Sequence, residues 1–487
     1  MLNRQPRRRD TVIRQPRHRD QQRPVAQTVP IRRPHRIFSS PYILLFGFVL
    51  LIIAGGFLLA LPAASAGGGF TSPVISFFTA ISAVTVTGHT VVNTPTYWSP
   101  FGQGVIFVLM LVGGLGFMVV STFLLLVIGH RSTLQERMLT SGLMRDTVGV
   151  EQMQGLRSIG RKLVFLVFVL YAVGAIAMFW QLRQIQGFDN IDLGQSLWYS
   201  VFLSVSSFNN AGFTILPEGG AGGSLARLAT SPVFLLLSTG LMVVGGLGWM
   251  MLVDIYRQRR FVRFSLDTKL IIVTSLFLWA LGAGVFFFAE FGRDQTLGPL
   301  GLGDKVVSAI FHSVSGRTAG FATVDFGQVQ DVTKMTYSGL MFIGGAAGSV
   351  AGGIKVVTFA VIVAAVVSSL KGRPQAEAFG REITQSQLYR ALTVAVLGLG
   401  FIVIAVPVLT STDPDVPFLH LVFDTVSALG TTGATTGIVP DLSLAGKCLF
   451  MAAMFVGRLG PVTLALALAP QEDTAGYRFA RERVKIG

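Results

Sequence analysis

Thr85-Val86-Thr87-Gly88-His89 is a short polar stretch held between apolar segments, and it returns three times in altered form. Phe208-Asn209-Asn210-Ala211-Gly212-Phe213 is the second copy, Arg317-Thr318-Ala319-Gly320-Phe321 the third and Gly430-Thr431-Thr432-Gly433-Ala434 the fourth. Gly88, Gly212, Gly320 and Gly433 align at intervals of roughly 110–125 residues. Each glycine lies between two long apolar runs, with a short apolar segment just ahead of it. The pattern predicts a repeating unit of span, half-crossing helix, glycine loop and second span. Irregular backbone at membrane depth survives only where protein buries it or water lines it.

Composition agrees. The 487 residues are 51% hydrophobic and 13% charged, against about 25% charged in a typical soluble domain. Runs such as Val105–Leu126 and Leu163–Met178 reach or approach the roughly 20 apolar residues needed to cross a bilayer. They are too continuous for a membrane β-barrel. Cys448 is the single cysteine, which excludes an intrachain disulfide and a cysteine metal cluster. A net charge of +15 would suggest nucleic acid in a soluble protein. Here the charge lies in a tail and in alternate loops, so the positive-inside rule accounts for it and no nucleic-acid partner is expected.

Residues 1–36 form an Arg- and Pro-rich tail that reads as disordered. It serves either as a topogenic signal or as a contact for anionic headgroups of the lipid membrane, and it does not resemble a cleaved signal peptide. Unit 1 (37–130) has spans near Tyr42–Leu61 and Phe101–Ile128 with a pore helix at Ser72–Ala83. A basic linker (131–162) follows. Unit 2 (163–256) has spans near Leu163–Gln181 and Ser231–Ile255 and a pore helix at Leu193–Phe208. Unit 3 (257–371) has a span near Leu270–Phe291, a pore helix at Gly303–Ser315 and a glycine-broken span at Lys334–Leu370. Unit 4 (372–470) has spans near Ala391–Thr410 and Cys448–Ala469 and a pore helix at Pro417–Leu429, before a basic tail (471–487). Residues 62–101 and 412–445 contain no Lys or Arg. The fold expected is therefore an all-α integral membrane protein: four tandem M1-P-M2 units around a pseudo-fourfold pore, eight transmembrane helices, and both termini cytoplasmic.

A second motif repeats in the same order. Gly113-Gly114-Leu115-Gly116 returns as Gly245-Gly246-Leu247-Gly248, as Gly344-Gly345-Ala346-Ala347-Gly348 and as Gly457-Arg458-Leu459-Gly460. Two ordered motifs argue for fourfold internal duplication. Four converging loops would form a ring of backbone carbonyls able to replace an ion's hydration shell. Glycine-lined helix packing in a transporter without a pore is the alternative, and it leaves the polar loops without a role.

On Thr85–Gly88, Ser207–Phe213, Arg317–Phe321 and Ser427–Gly433, the sequence resembles the Trk/Ktr/HKT superfamily of potassium transporters over about residues 38–470, most closely its KtrB-type membrane subunits. The resemblance implies a selectivity filter for K+ at Thr85, Val86, Thr87, Gly88, Asn209, Asn210, Ala211, Gly212, Thr318, Ala319, Gly320, Thr431, Thr432 and Gly433. Gly88, where sodium-conducting relatives tend to carry serine, points to potassium. His89 stands where an apolar residue is expected; it is read either as a satisfied polar residue beside the filter or as a pH sensor. Asp424 stands where glutamate is expected, and either pairs with a donor such as Arg317 or hydrates at the vestibule.

Gly344-Gly345-Ala346-Ala347-Gly348-Ser349-Val350-Ala351-Gly352-Gly353-Ile354-Lys355 cannot form a stable straight helix, since each glycine costs about 1 kcal/mol relative to alanine. The resemblance implies that Gly344, Gly345, Gly348, Ser349, Gly352 and Gly353 belong to an intramembrane gate loop; a kinked packing helix is the plainer reading. Arg458 lies mid-span, where a charge is costly and functional by default. It either latches the loop or bonds pore-helix carbonyls. Lys355 ends the loop, or snorkels to the interface.

The resemblance further implies a homodimer in a bacterial inner membrane, docked on a cytoplasmic RCK-domain subunit of KtrA/TrkA type that binds ATP or ADP. The chain itself holds no phosphate-binding fingerprint, so nucleotides act only through that partner. Na+ is expected as an activator; a Trk-type sodium-independent or proton-linked system is the alternative. No enzyme is expected: the six histidines are scattered and no catalytic or metal motif occurs.

Overall fold

The computed structural model describes residues 41–118, 148–185, 188, 191–217 and 224–460. The expectations for the 1–36 tail, for the end of the Phe101–Ile128 span, for most of the 131–162 linker, for the end of the Cys448–Ala469 span and for the 471–487 tail lie outside the described residues.

Among the described residues the secondary structure is helical apart from one hairpin. Helix α1 (Pro41–Ala60) leads to the short α2 (Pro73–Val84) and then to α3 (Pro100–Met118). Next come α4 (Val148–Leu182), the short α5 (Leu193–Phe208) and the pair α6 (Pro232–Leu247) and α7 (Trp249–Gln258). Helix α8 (Leu266–Glu290) precedes the short α9 (Leu302–Thr318), and α10 (Asp331–Phe342) is separated from α11 (Val356–Leu370) by a loop. Strands β1 (Ala376–Ala378) and β2 (Arg381–Ile383) form an antiparallel hairpin. Helices α12 (Gln385–Thr412), α13 (Phe418–Gly430) and α14 (Leu444–Leu459) complete the described chain. Among the described residues four helices are long and apolar enough to cross a bilayer, and five if α6 and α7 count as one broken span.

Local chemistry fixes the starts of the short helices. Pro73 stands at the first position of α2, where the missing N–H costs nothing. Asp192 caps α5 by accepting from the Gly194 N–H at 2.9 Å. The four short helices then pack in a ring. Each leans on the long helix before it: α1 on α2, α4 on α5, α8 on α9 and α12 on α13. Each is also flanked by the helix that ends the preceding segment: α6 against α9, α10 against α13 and α14 against α2. Phe107 of α3 completes the set against Trp198 and Phe202 of α5, at 5.3 and 6.0 Å between centroids.

Three features differ from the sequence expectation. Helix α4 starts at Val148, inside the stretch read as linker. The span read as Ser231–Ile255 is broken, because Gly248 adopts φ 80° and turns α7 by 93° from α6. A β-hairpin follows α11, an element that was not read from the sequence.

Two carboxylates join consecutive segments. Glu290, at the end of α8 and fully buried, accepts from the Gln330 N–H (2.9 Å) and the Thr333 hydroxyl (2.6 Å) at the start of α10, and from the Thr296 hydroxyl (3.0 Å). Asp413, at the end of α12, accepts from the Ser443 N–H (2.6 Å) and from the Thr412 and Ser443 hydroxyls (2.7 and 2.9 Å). Both bind the backbone at a helix N-terminus, where acceptors are needed. Burial pushes the Asp413 carboxyl up, but the Ser443 and Thr412 bonds and the charge of Lys447 outweigh it and hold the group below its usual value. A carboxyl depressed in the fold stabilises above its unfolded value and loses that contribution as pH falls through the folded one. Lowering the pH from neutrality to below about 4 should therefore depress the melting temperature more in the unsubstituted protein than in Asp413→Asn. Equal acid shifts would rule out this joint as an acid-labile contact.

Candidate functional site

The four repeated glycines meet. Gly88, Gly212, Gly320 and Gly433 have φ of 92°, 70°, 72° and 85°, a region open to glycine at little cost. Their surroundings exclude a side chain as well. A Cβ on Gly88 would collide with the carbonyl oxygen of Ala211, one on Gly212 with that of Ala319, one on Gly320 with that of Thr432, and one on Gly433 with that of Thr87. Each obstructing oxygen belongs to the residue just before the next loop's glycine, and the fourth contact returns to the first loop. The loops close a ring of backbone on backbone.

Each loop leaves its helix through a serine carbonyl. Ser82, Ser206 and Ser427 accept from the N–H groups of Thr87, Ala211 and Thr432 at 2.8, 2.8 and 2.9 Å. In the third loop Ser315 accepts from Gly320 itself, at 2.8 Å. The third loop is thus one residue shorter. Accordingly Val86, Asn210 and Thr431 have positive φ of 56°, 56° and 49°, whereas Thr318 still belongs to α9. Side chains tie the loops to the surrounding helices. Asn209 accepts from the Tyr171 hydroxyl at 2.9 Å and donates to the Met110 carbonyl at 3.4 Å, and Asn210 donates to the Met242 carbonyl at 3.4 Å. The Thr85 hydroxyl donates to the Ile81 carbonyl at 2.7 Å and lies 2.8 Å from that of Thr87.

The second repeated motif seats these helices. Added Cβ atoms on Gly113, Gly245 and Gly457 would overlap the carbonyls of Val84, Phe208 and Leu429, each four positions before its ring glycine. The third copy behaves differently. Gly344 folds against the Gly352 carbonyl inside the loop between α10 and α11.

That loop, residues 343–355, is clamped from three sides. The break at Gly248 leaves the last carbonyls of α6 free; Gly246 accepts from the Ala346 N–H at 3.0 Å and Gly245 from the Val350 N–H at 3.2 Å. The buried Arg317 donates to the Ile343 and Gly344 carbonyls at 3.1 and 2.8 Å. The buried Arg458 donates to the Val350 carbonyl and, at 3.1 Å, to that of Gly113. Its guanidinium stands 4.3 Å from the centroid of the Phe117 ring, a favourable cation–π placement. Lys355 donates to the Ala351 carbonyl at 2.5 Å and shares the Phe117 ring at 5.7 Å. Within the loop, Gly348 and Gly353 have φ of 75° and 68°, the Gly345 carbonyl accepts from the Val356 N–H at 3.0 Å, and the buried Ser349 hydroxyl donates to the Ala346 carbonyl at 2.7 Å. Gly352 lies against the hydroxyl of Thr431, directly beside the ring.

Two expectations are corrected here, and one pair of alternatives is narrowed. Asp424 does not pair with Arg317: it accepts from the Thr435 hydroxyl (2.6 Å) and from the Thr436 N–H (2.8 Å) and hydroxyl (3.2 Å), because the chain after the fourth loop folds back onto it. His89 is fully buried edge-on to Phe450, and neither ring nitrogen has a hydrogen-bond partner among the described residues, so it is not a satisfied polar residue. Of the two readings of Arg458, the structure shows bonds to a carbonyl of the 343–355 loop and to α3, and none to the end of a short helix among the described residues. The α6 carbonyls and the Glu290 and Asp413 joints were not read from the sequence; only Gly248 offered a signal.

Fold and site together define a multi-pass helical membrane protein built around a closed ring of glycine loops. The profile of the TrkH family, described as cation transport protein, matches residues 58–477, and the chain belongs to that family. Its members transport cations and are not enzymes. The Ktr system potassium uptake protein B of Bacillus subtilis is 37% identical over 441 residues, covering 90% of this chain and 94% of the relative. The potassium/sodium uptake protein NtpJ of Enterococcus hirae is 32% identical over 466 residues, covering 94% and 100%. The potassium transporter TrkH of Vibrio parahaemolyticus shares the fold, with a TM-score of 0.67 at 19% identity over 88% of this chain and 84% of that one.

If Gly245 seats the end of α5, Gly245→Ala should destabilise the protein by about 1–3 kcal/mol through overpacking. Gly240→Ala, where a Cβ meets nothing within 4 Å, should be neutral. Equal thermal midpoints for the two variants would refute the seat.

Proposed function

We propose that the chain takes up potassium through a channel-like pore whose selectivity filter is the ring of loops. In this reading four tandem M1-P-M2 units, bounded as the sequence suggests, supply eight spans with both termini cytoplasmic. The observation that carries the reading is the closed succession of Gly88, Gly212, Gly320 and Gly433, each against the carbonyl of the next loop. Backbone oxygens gathered this way can replace water around a cation. Filter oxygens come from Thr85–Thr87, Asn209–Ala211, Thr318–Ala319 and Thr431–Thr432. The naming of potassium for the Bacillus and Enterococcus relatives supports the choice of ion.

The 343–355 loop is the gate. It abuts Thr431 and is held by Arg458, Arg317 and Lys355, so permeation requires that these bonds rearrange. Two such chains form a homodimer in a bacterial inner membrane, and a cytoplasmic RCK-type subunit binding ATP or ADP governs the gate. The description of the Bacillus relative as part of a Ktr system supports a partner subunit. Sodium stimulates uptake. The Enterococcus name, which couples sodium with potassium, favours a second reading in which sodium also permeates.

Rubidium-tracer uptake into potassium-loaded proteoliposomes, with and without external sodium, tests both readings. Potassium should compete far better than sodium. Gly88→Ser, whose Cβ falls on the Ala211 carbonyl, should weaken that preference about tenfold, or ~1.4 kcal/mol. Uptake equally inhibited by both ions would reject a potassium filter. Arg458→Gln should raise basal uptake about tenfold, since a charge-assisted bond contributes about 1.5–3 kcal/mol. An unchanged basal rate and unchanged response to the partner would remove the latch.

A further inference from the structure

A cavity of about 180 Å³ opens on the residues that follow the ring glycines, whereas the 343–355 loop abuts residues that precede them. All four ring glycines line it, and Thr214, Ser224 and Thr435 add hydroxyl groups. It is large enough to hold several waters. Among the described residues that line it, Asp325 is the only one with a charged side chain.

The carboxylate of Asp325 is only half engaged. Its Oδ1 accepts from the Gly327 N–H at 2.7 Å, and no Lys or Arg comes within 4 Å among the described residues. The nearby cation of α10, Lys334, is occupied: its Nζ lies 3.0 Å from His420 Nε2 and 3.6 Å from the Asp331 carboxylate. The other acid of this region, Asp424, is buried and saturated by Thr435 and Thr436. Asp325 therefore brings to the space directly outside the ring a carboxylate with one oxygen that takes no hydrogen bond among the described residues. A charge of one sign in a cleft with low-dielectric walls raises the local counter-ion concentration.

We propose that Asp325, with the hydroxyls around it, makes this vestibule a binding site for a still largely hydrated alkali cation, upstream of the glycine ring. The site rests on the pore reading. The ion enters with its water, is held by the carboxylate and hydroxyls, and is passed to the ring, where dehydration begins. The site acts on capture, so it governs the ion concentration needed for half-maximal uptake.

The test is initial-rate rubidium uptake against external rubidium at low and at physiological ionic strength, with an impermeant organic cation as the added salt. Asp325→Asn keeps an Oδ1 acceptor for Gly327 and removes only the charge. It should raise the half-saturating concentration about three- to tenfold at low ionic strength, with a smaller loss at saturating rubidium. The difference should shrink at physiological salt, where the Debye length is about 8 Å. Asp325→Glu should stay near the unsubstituted value. Asp331→Asn, an exposed acid off the cavity lining, should not shift it. An unchanged half-saturating concentration in Asp325→Asn overturns the site. Equal shifts in Asp325→Asn and Asp325→Glu would make the effect one of turn geometry, and an equal shift in Asp331→Asn one of general surface charge; either overturns it too. Absence of uptake by the unsubstituted protein would instead overturn the pore reading, and the site with it.

Discussion

Backbone-to-backbone contact at four glycines is the constraint from which the rest of the structure follows. Where a Cβ would sit on Gly88, Gly212, Gly320 and Gly433, the carbonyl of the neighbouring loop already stands. Contact that close leaves no slack: the end of each short helix must be placed to within a fraction of an ångström. The second set of glycines does this, because Gly113, Gly245 and Gly457 let a neighbouring helix come down onto the carbonyls of Val84, Phe208 and Leu429. Close approach through small residues is how membrane helices pack when no hydrophobic driving force separates protein from lipid. The asparagines of the second loop then turn to the helices behind, Asn209 to Tyr171 and Met110 and Asn210 to Met242.

The loop between α10 and α11 shows the other side of that constraint. Thirteen irregular residues packed among apolar helices have backbone polar groups that need partners. The break at Gly248 supplies two acceptor carbonyls from the end of α6, and Arg317, Arg458 and Lys355 supply donors to carbonyls at 343, 344, 350 and 351. Charged donors strengthen these bonds, yet they also bind the loop to discrete positions. Withdrawing the loop leaves buried guanidinium groups that must find water or new carbonyls, and an uncompensated buried charge costs several kcal/mol. A loop so held has one defined position in the structure.

Much of this was legible in sequence because the two glycine motifs recur in fixed order. The short helix read as Leu193–Phe208 is bounded as observed, and that read as Ser72–Ala83 is shifted by one residue, with Ser72 as its cap. Composition located the apolar runs, and the ring could be anticipated from repetition alone. Contacts between distant residues were not legible. Asp424 lies in a short helix where pairing with Arg317 was plausible, but the partners it takes, Thr435 and Thr436, follow from how the chain doubles back after the fourth loop. Gly116, Gly248 and Gly460 end the same motif, yet Gly116 stays helical while Gly248 and Gly460 adopt φ of 80° and 83°. The tertiary setting decides which of these glycines breaks its helix.

The departures from fourfold regularity gather in the third segment, and this concentration has a physical consequence. The third ring loop is one residue shorter, its helix ends in Arg317, and its second glycine motif has left the seat held by Gly113, Gly245 and Gly457 to become the clamped loop. Arg317 connects all of these. Its carbonyl accepts from the Thr432 hydroxyl of the fourth ring loop at 3.3 Å, while its guanidinium holds Ile343 and Gly344 at the root of the clamped loop. One residue thus touches the ring on its main-chain side and the loop on its side-chain side. A displacement of the loop at Gly344 would act on the helix end that positions Thr318, Ala319 and Gly320, and Gly320 in turn lies against Thr432. A regular fourfold ring would have no such connection, because its short helices would end against glycine seats alone. By giving up symmetry in one quarter, the fold joins the ring and the 343–355 loop through a single residue.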